Sequence, residues 1–580
     1  MLETGDRDIR VAAVLAASPL PNLAIPATLH ASLIARLDRL GPIAKEVGQV
    51  GAVLGREFGY DLIEQVAQRS AAELRLGLDR LTEAGLLFCR GVASQSSYLF
   101  KHALVQDAAY GTLLRAKRQE LHARVAAVLE RQFAGLVERQ PELLAYHLTA
   151  AGATERAVDQ WLNAGQHAAA RSAPHEAIGH LERGIAMLAA LPEGFARDER
   201  EIELHLARGL SLFTAEGFMS TEASRSYTRA RDLAERRSDA RQLFMAVYGL
   251  WQSADGSGRI RDCRSLSDRL LQLTAGKADD GLHLQAQHSA WATCLHAGDP
   301  ATAREHCEAG RRLYDPERHR SHRLLYGGHD PGVCAGSIGA TVHWLLGYPE
   351  KRLAIGSEAL ELAERIAHPF TLVTALLWNA MLHLDRGEPQ LALRRLGAAE
   401  ALAAEQRVGF VWEPRFLRGA ALSGQGAFAE AVGCLRDGLD GLLGAMQSHP
   451  YGLARLAEAL AEQAEYGAAL VAAMEGLKAQ EETGHRQWEA DLRRVEGIAL
   501  FGLNRLEECQ IAIEDALRIA RCQQAKSYEL RAAMTLARLW AEQRRRAEAH
   551  DLLAPVYGWF TEGFETADLK EAKALLDELT

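Results

Sequence analysis

A small residue, then an apolar or small one four positions on, then a small one three further, recurs down most of this chain. The register reads Ala223/Tyr227/Ala230, Cys263/Ser267/Leu270, Ala303/Cys307/Gly310, Arg352/Gly356/Ala359, Ala392/Leu396/Ala399, Ala431/Leu435/Gly438, Ala469/Ala473/Gly476, Cys509/Ile513/Ala516 and Ala549/Leu553/Val556, after earlier instances at Ala157/Trp161/Ala164 and Ala177/Leu181/Gly184. Offsets of four and three put the three positions on one helix face, and small side chains there let a second helix approach closely. Most steps from residue 223 onward are near 40 residues, and short breaks such as "HAGDP", "LGYPE", "DRGEP", "GQGAF" and "FGLNR" divide them. Stacked helix–turn–helix units in a solenoid have this signature. The fold expected is all-α, a tetratricopeptide-like helical-repeat solenoid over residues 141–580. Arg352 stands where the pattern asks for a small residue.

The first part of the chain reads differently. "TLHASLIARLDRLG" is an amphipathic helix stopped by Gly41, Pro42 opens the next, and Ser70 caps "AAELRLGLDRLTEAG", which ends at Gly85. Two short strand-like runs, "LLFCR" and "SYLF", follow around a polar turn, and then a helix from about Ala103. Three helices and a hairpin predict a winged-helix module over residues 28–110. Residues 1–27 read as a leader or the remnant of a domain junction, and residues 111–140 as a connecting helix. The candidate recognition helix sets Arg75 and Arg80 against Glu73, Asp79 and Glu83. Duplex binding needs a surplus of cations, so DNA is an unlikely partner.

Composition narrows the class. The chain has 580 residues, 48% hydrophobic and 24% charged, with 76 acidic and 66 basic residues for a net charge of −10. That balance argues against an anionic-membrane or nucleic-acid surface as the dominant feature. Eight cysteines with no CxxC pair, and a start lacking a basic, apolar leader, point to reduced thiols in the cytoplasm.

The segments "IPATLHASLIARLDRLGPIAKEVGQVGAVLGREF" (25–58) and "YLFKHALVQDAAYGTLLRAKRQELHARVA" (98–126) resemble the region that follows the ATPase module in large bacterial signalling proteins. Those proteins join a class III adenylate/guanylate cyclase domain, a STAND-type signal-transduction ATPase and a tetratricopeptide array. The stretches at 314–335, 366–370 and 558–579 are similar to the array of that group. The resemblance spans nearly the whole chain and implies a regulatory, non-catalytic region with a possible cyclase or P-loop ATPase partner. No GxxxxGK[ST] occurs, so no phosphate cradle is expected within the chain. His102 in "FKHALVQD" resembles the nucleotide-sensing histidine of the family's "MHD" motif, with Lys101 and Ala103 in place of Met and Asp. The resemblance implies a nucleotide contact only alongside an ATPase domain elsewhere. A DNA-associated regulator and a truncated remnant of a multidomain cyclase stand as alternatives.

The densest chemistry lies in "LLYGGHDPGVC", residues 324–334. Asp330 followed by Pro331 is an N-cap followed by an N1 proline, and Gly327 and Gly328 supply a tight turn, so the stretch reads first as a joint. Tyr326, His329, Asp330 and Cys334 are the candidate ligand contacts, on the expectation that the array's concave face holds a protein segment or small ligand. No catalytic residue, cofactor or metal is expected. "HEAIGH" (175–180) spaces its histidines five apart, unlike HExxH, and His319 and His322 lie in an arginine-rich stretch expected to be a solvated linker. Tryptophans at 251, 291, 344, 378, 412, 488 and 540 recur at unit spacing, which favours packing between units.

Overall fold

The computed structural model describes residues 27–91, 96–171, 173–406, 414–441 and 449–580. Most of the expected leader, the hairpin turn at 92–95 and Trp412 lie outside them. The chain parts into two compact units, residues 1–211 and 212–580.

In the first unit, Pro42 opens the helix Pro42–Leu54 behind Gly41, whose φ of 87° suits only glycine comfortably. A short strand β1 (Glu57–Gly59) leads into the helices Tyr60–Ala67 and Ala71–Glu83, and the strands β2 (Leu87–Arg90) and β3 (Ser97–Phe100) follow. Ser70 and Glu73 close a capping box at the start of Ala71–Glu83. The sheet is antiparallel in the order β1-β3-β2, with Phe58 opposite Tyr98 and Leu87 opposite Phe100. Val47, Val50, Ile63, Leu74, Leu78 and Phe100 form its core. That core continues without a break through the helix Arg115–Gln132 to Leu144, Leu148 and Ala157, so the first repeat-like helices share it.

The second unit is a run of antiparallel helix pairs, beginning with Ala240–Gly256 against Ile260–Thr274 and ending with Lys526–Glu542 against Arg546–Tyr557, before the last helix Ala567–Leu579. The triad positions fall on the second helix of each pair and are buried: Ala303, Ala392, Leu396, Ala431, Leu435 and Ala469 show no exposure. Arg352 is equally buried, its guanidinium 2.5 Å from Asp385 on the next helix. The first helices of the pairs are enclosed on more sides. All fifteen residues of Pro331–Leu345 are buried.

The reason is that inner helices of early pairs meet inner helices of late ones. Ser527 Oγ donates to the Trp344 carbonyl at 2.5 Å, and Arg486 N–H donates to the His296 carbonyl at 2.7 Å. His485 stacks on His296 at 5.1 Å, and Glu562 accepts from the amides of Glu350 and Lys351. The second unit therefore closes on itself, and a tetratricopeptide-like solenoid describes it. The eight cysteines are free thiols. Among the described residues no helix is long and apolar enough to cross a membrane.

Candidate functional site

Among the described residues, the inner face of the second unit lines a cavity of about 760 Å³. Successive inner helices contribute its charges: Asp385 from Pro369–Asp385, Arg455 and Glu458 from His449–Glu462, Arg494 from Glu489–Gly502, Arg531 and Arg538 from Lys526–Glu542 and Asp568 from Ala567–Leu579. Phe501, Met534, Tyr451 and Phe428 supply apolar wall between them.

The deep charges are paired. Arg455 bonds Glu458 at 2.6 Å and also reaches Asp491, Arg494 bonds Glu458 at 2.7 Å and Asp491 at 2.8 Å, and Arg531 bonds Asp568 at 2.8 Å. Burial alone would push the Asp491 carboxyl up, but Arg494 and Arg455 hold it well below the usual carboxylate range. At the other end the balance is poorer. Burial lowers the Arg352 guanidinium and raises the Asp385 carboxyl, each opposed only in part by the other, and Arg352 Nε and Nη1 have no hydrogen-bond acceptor. Arg352 and Arg531 both lie over the Trp344 ring, at 5.4 and 5.0 Å. Arg538 and Phe501 stand nearer solvent at the rim.

The residues singled out in "LLYGGHDPGVC" come together, but inside the wall and away from this cavity's lining. Asp330 is fully buried and is the N-cap of Pro331–Leu345: Oδ1 accepts from Gly332 N at 2.9 Å and Val333 N at 3.2 Å. Its own N–H donates to Thr371 Oγ1 at 3.0 Å, which ties the joint to the following pair. Gly327 and Gly328 make the tight turn at φ of 88° and 89°. Tyr326 is buried edge-on against Tyr248 at 5.1 Å, and His329 is half-buried against His288 at 5.1 Å. Cys334 Sγ lies 3.3 Å from His288 Nε2.

One expectation is corrected, and one residue was missed. His319 and His322 are not in a solvated linker; both are buried, their rings 4.8 Å apart, and His319 Nδ1 accepts from Asp315 N–H at 3.0 Å. The arginines around them take the solvent side instead. His288, on the helix Asp280–His296, was not singled out from the sequence: it shares that helix with His283 and His296, and the residues it meets lie 41 and 46 positions further on. His102 stands exposed at the N-cap position of Ala103–Gly111, its side chain making no cap bond. Trp251, Trp291, Trp344 and Trp488 are buried between helices, as their spacing suggested.

No family model matches the chain. It is 28% identical over 523 residues to an uncharacterized protein of Rhizobium meliloti (strain 1021); the match covers 87% of this chain and 50% of that protein, so the chain spans about half the length of that relative. Among solved structures, the yeast Tom70 is similar over 80% of this chain and 97% of its own at 10% identity and a TM-score of 0.30. A Rap protein complexed with competence and sporulation factor matches 73% of this chain and all of its own, at 12% identity and 0.33. A STAND protein with a tetratricopeptide repeat sensor from Pyrococcus horikoshii matches 94% of this chain and 65% of its own, at 12% identity and 0.25.

Proposed function

We propose that this chain is a non-catalytic interaction and sensory protein whose inner cavity takes a short peptide segment bearing both signs of charge. The observation that carries this reading is the cavity wall itself: four arginines and six carboxylates on successive inner helices, with aromatic and aliphatic wall between them. A peptide of mixed charge offers a guanidinium or ammonium for the carboxylates, a carboxylate for the arginines and apolar side chains for Phe501 and Met534. Early and late pairs of the second unit meet where it closes, so a ligand bridging several inner helices biases the closed arrangement against an open one. That is the mechanical basis for a regulatory role.

The resemblance to cyclase- and STAND-associated arrays supports assigning the chain to such a signalling system. In the first unit, the order helix, β1, two helices, β2, β3 with β3 central supports the winged-helix reading. Its exposed helix face sets Arg75 and Arg80 against Asp79 and Glu83, and Arg80 already donates to the Leu40 carbonyl at 3.3 Å. Packing against a partner domain therefore fits that face better than a phosphate backbone does.

The test is selection of displayed short peptides on the full chain, followed by affinity measurement against Arg538→Glu and Phe501→Ser. Both substitutions alter the rim and leave the buried ion pairs intact. Recovered peptides should bind each variant at least about tenfold more weakly, the loss of one good contact. Peptides indifferent to both changes would refute the assignment of this cavity.

A further inference from the structure

We propose that His288, His329 and Cys334 form a transition-metal site in the wall of the second unit, with Zn²⁺ as its occupant. One ring nitrogen from each histidine and the Cys334 sulfur all lie within 4.8 Å of one another. The His288 Nε2 to Cys334 Sγ distance is 3.3 Å. Tetrahedral zinc, with bonds of about 2.3 Å to sulfur and about 2.0 Å to nitrogen, holds such a pair roughly 3.5 Å apart. The remaining gap to His329 closes by a shift of its ring.

The surroundings are those of a supported ligand set. His288 Nδ1–H donates to Gln285 Oε1 at 3.2 Å and lies 2.9 Å from the Tyr248 hydroxyl, which leaves the Nε2 lone pair facing Cys334. Gln285 is itself fixed, donating from Nε2 to His322 Nδ1 at 2.9 Å. Hydrogen-bonded carriers of this kind orient metal-binding imidazoles. The Trp291 ring stacks on His288 at 4.8 Å and completes a dry wall. His329 Nδ1 is buried with no hydrogen-bond partner. Two imidazoles and one thiolate suit zinc and exclude the hard cations Mg²⁺ and Ca²⁺. The fourth position is left to water or to a donor from a ligand. Bound metal would pin the turn at 326–334 to Asp280–His296, one helix pair to the next.

The experiment uses the full chain, stripped with chelator and titrated with Zn²⁺ and Co²⁺. One equivalent of zinc should be retained through gel filtration, and cobalt should give a thiolate-to-metal charge-transfer absorption. Cys334→Ser should abolish that absorption, and Cys307→Ser, a buried thiol outside the trio, should keep it. His329→Gln, which keeps much of the side chain's packing, should weaken zinc retention at least about tenfold relative to wild type, while circular dichroism of the metal-free chain shows the fold kept. Gln285→Ala should weaken it about 10- to 100-fold. Cobalt absorption that survives Cys334→Ser, or zinc retention equal in wild type and His329→Gln, would overturn the assignment.

Discussion

Arg352 shows how a single residue can break a pattern for a physical reason. Ala303, Ala392, Ala431 and Ala469 at the same register position are small and fully buried; this one admits a guanidinium because Asp385 on the next helix receives it. A buried ion pair contributes little net stability, but removing one partner strands the other charge. Arg352→Ala should therefore cost about 3–5 kcal/mol in denaturant unfolding, and Arg352→Met combined with Asp385→Leu should recover most of it. A second residue-scale feature is the pair His122 and His147, both buried, with their Nδ1 atoms 2.8 Å apart and His122 Nε2 3.0 Å from the Tyr110 hydroxyl. Burial, aided by Arg118 at His122 and by His122 at His147, lowers them to about 4 and about 3. Their folded-state values lie below the unfolded one, so the unfolded chain binds more protons in mild acid. The contribution is complete above about pH 6.5 and is lost as the pH falls below it, by roughly 1 kcal/mol per pH unit per histidine. Thermal unfolding of the chain followed from pH 7.5 to 5 should show this slope, and His122→Phe should reduce it by about half.

At the scale of the element, the turns repeat as faithfully as the helices. A left-handed residue sits between the two helices of each pair at Gly258, Gly298, Gly347, Gly387, Gly426, Ala464, Asn504 and Arg544. The turn geometry is held even where no glycine is available, so the packing of the pair dictates it. An L side chain in that conformation costs about 1–2 kcal/mol, partly offset because glycine loses more freedom on folding. Arg544→Gly, at an exposed position, should stabilise the chain by about 0.5–1 kcal/mol in denaturant melts. Helix contacts are less forgiving. A Cβ on Gly310 would lie 2.3 Å from the Trp291 ring, so Gly310→Ala should cost about 1–3 kcal/mol by the same measurement.

For the second unit as a whole, closure is the decisive event. The seam holds His485 buried, with neither ring nitrogen bonded, stacked on His296, which in turn bonds Asp255 Oδ1 at 2.9 Å through Nδ1. Burial, then the neighbouring His296, keeps His485 far below its ordinary value, so a proton is excluded while the seam is shut. Lowering the pH from 7 towards 5 favours the open seam, since the freed imidazole binds a proton below about 6.5. Amide exchange around 296–299 and 484–487 should accelerate over that range, and His485→Phe should remove the dependence. The same closure shapes the cavity, so ligand affinity and seam opening should vary together.

The sequence by itself determined the repeat, because a small residue at fixed phase is required wherever two helices touch, and that requirement is local. It also determined the joint at Asp330: an N-cap before an N1 proline is read from adjacent residues. The hairpin and the cap at Ser70 were legible for the same reason. Only the tertiary structure decided that the array closes on itself, since that depends on a small rotation per pair summed over many pairs. Through closure it decided that Arg455, Arg494 and Arg531 share a wall with Asp385 and Asp568, residues up to 183 positions apart. It likewise brought His288 to His329 and Cys334 from 41 and 46 residues away. Periodicity records which face of a helix is covered, and carries no account of which distant helix covers it.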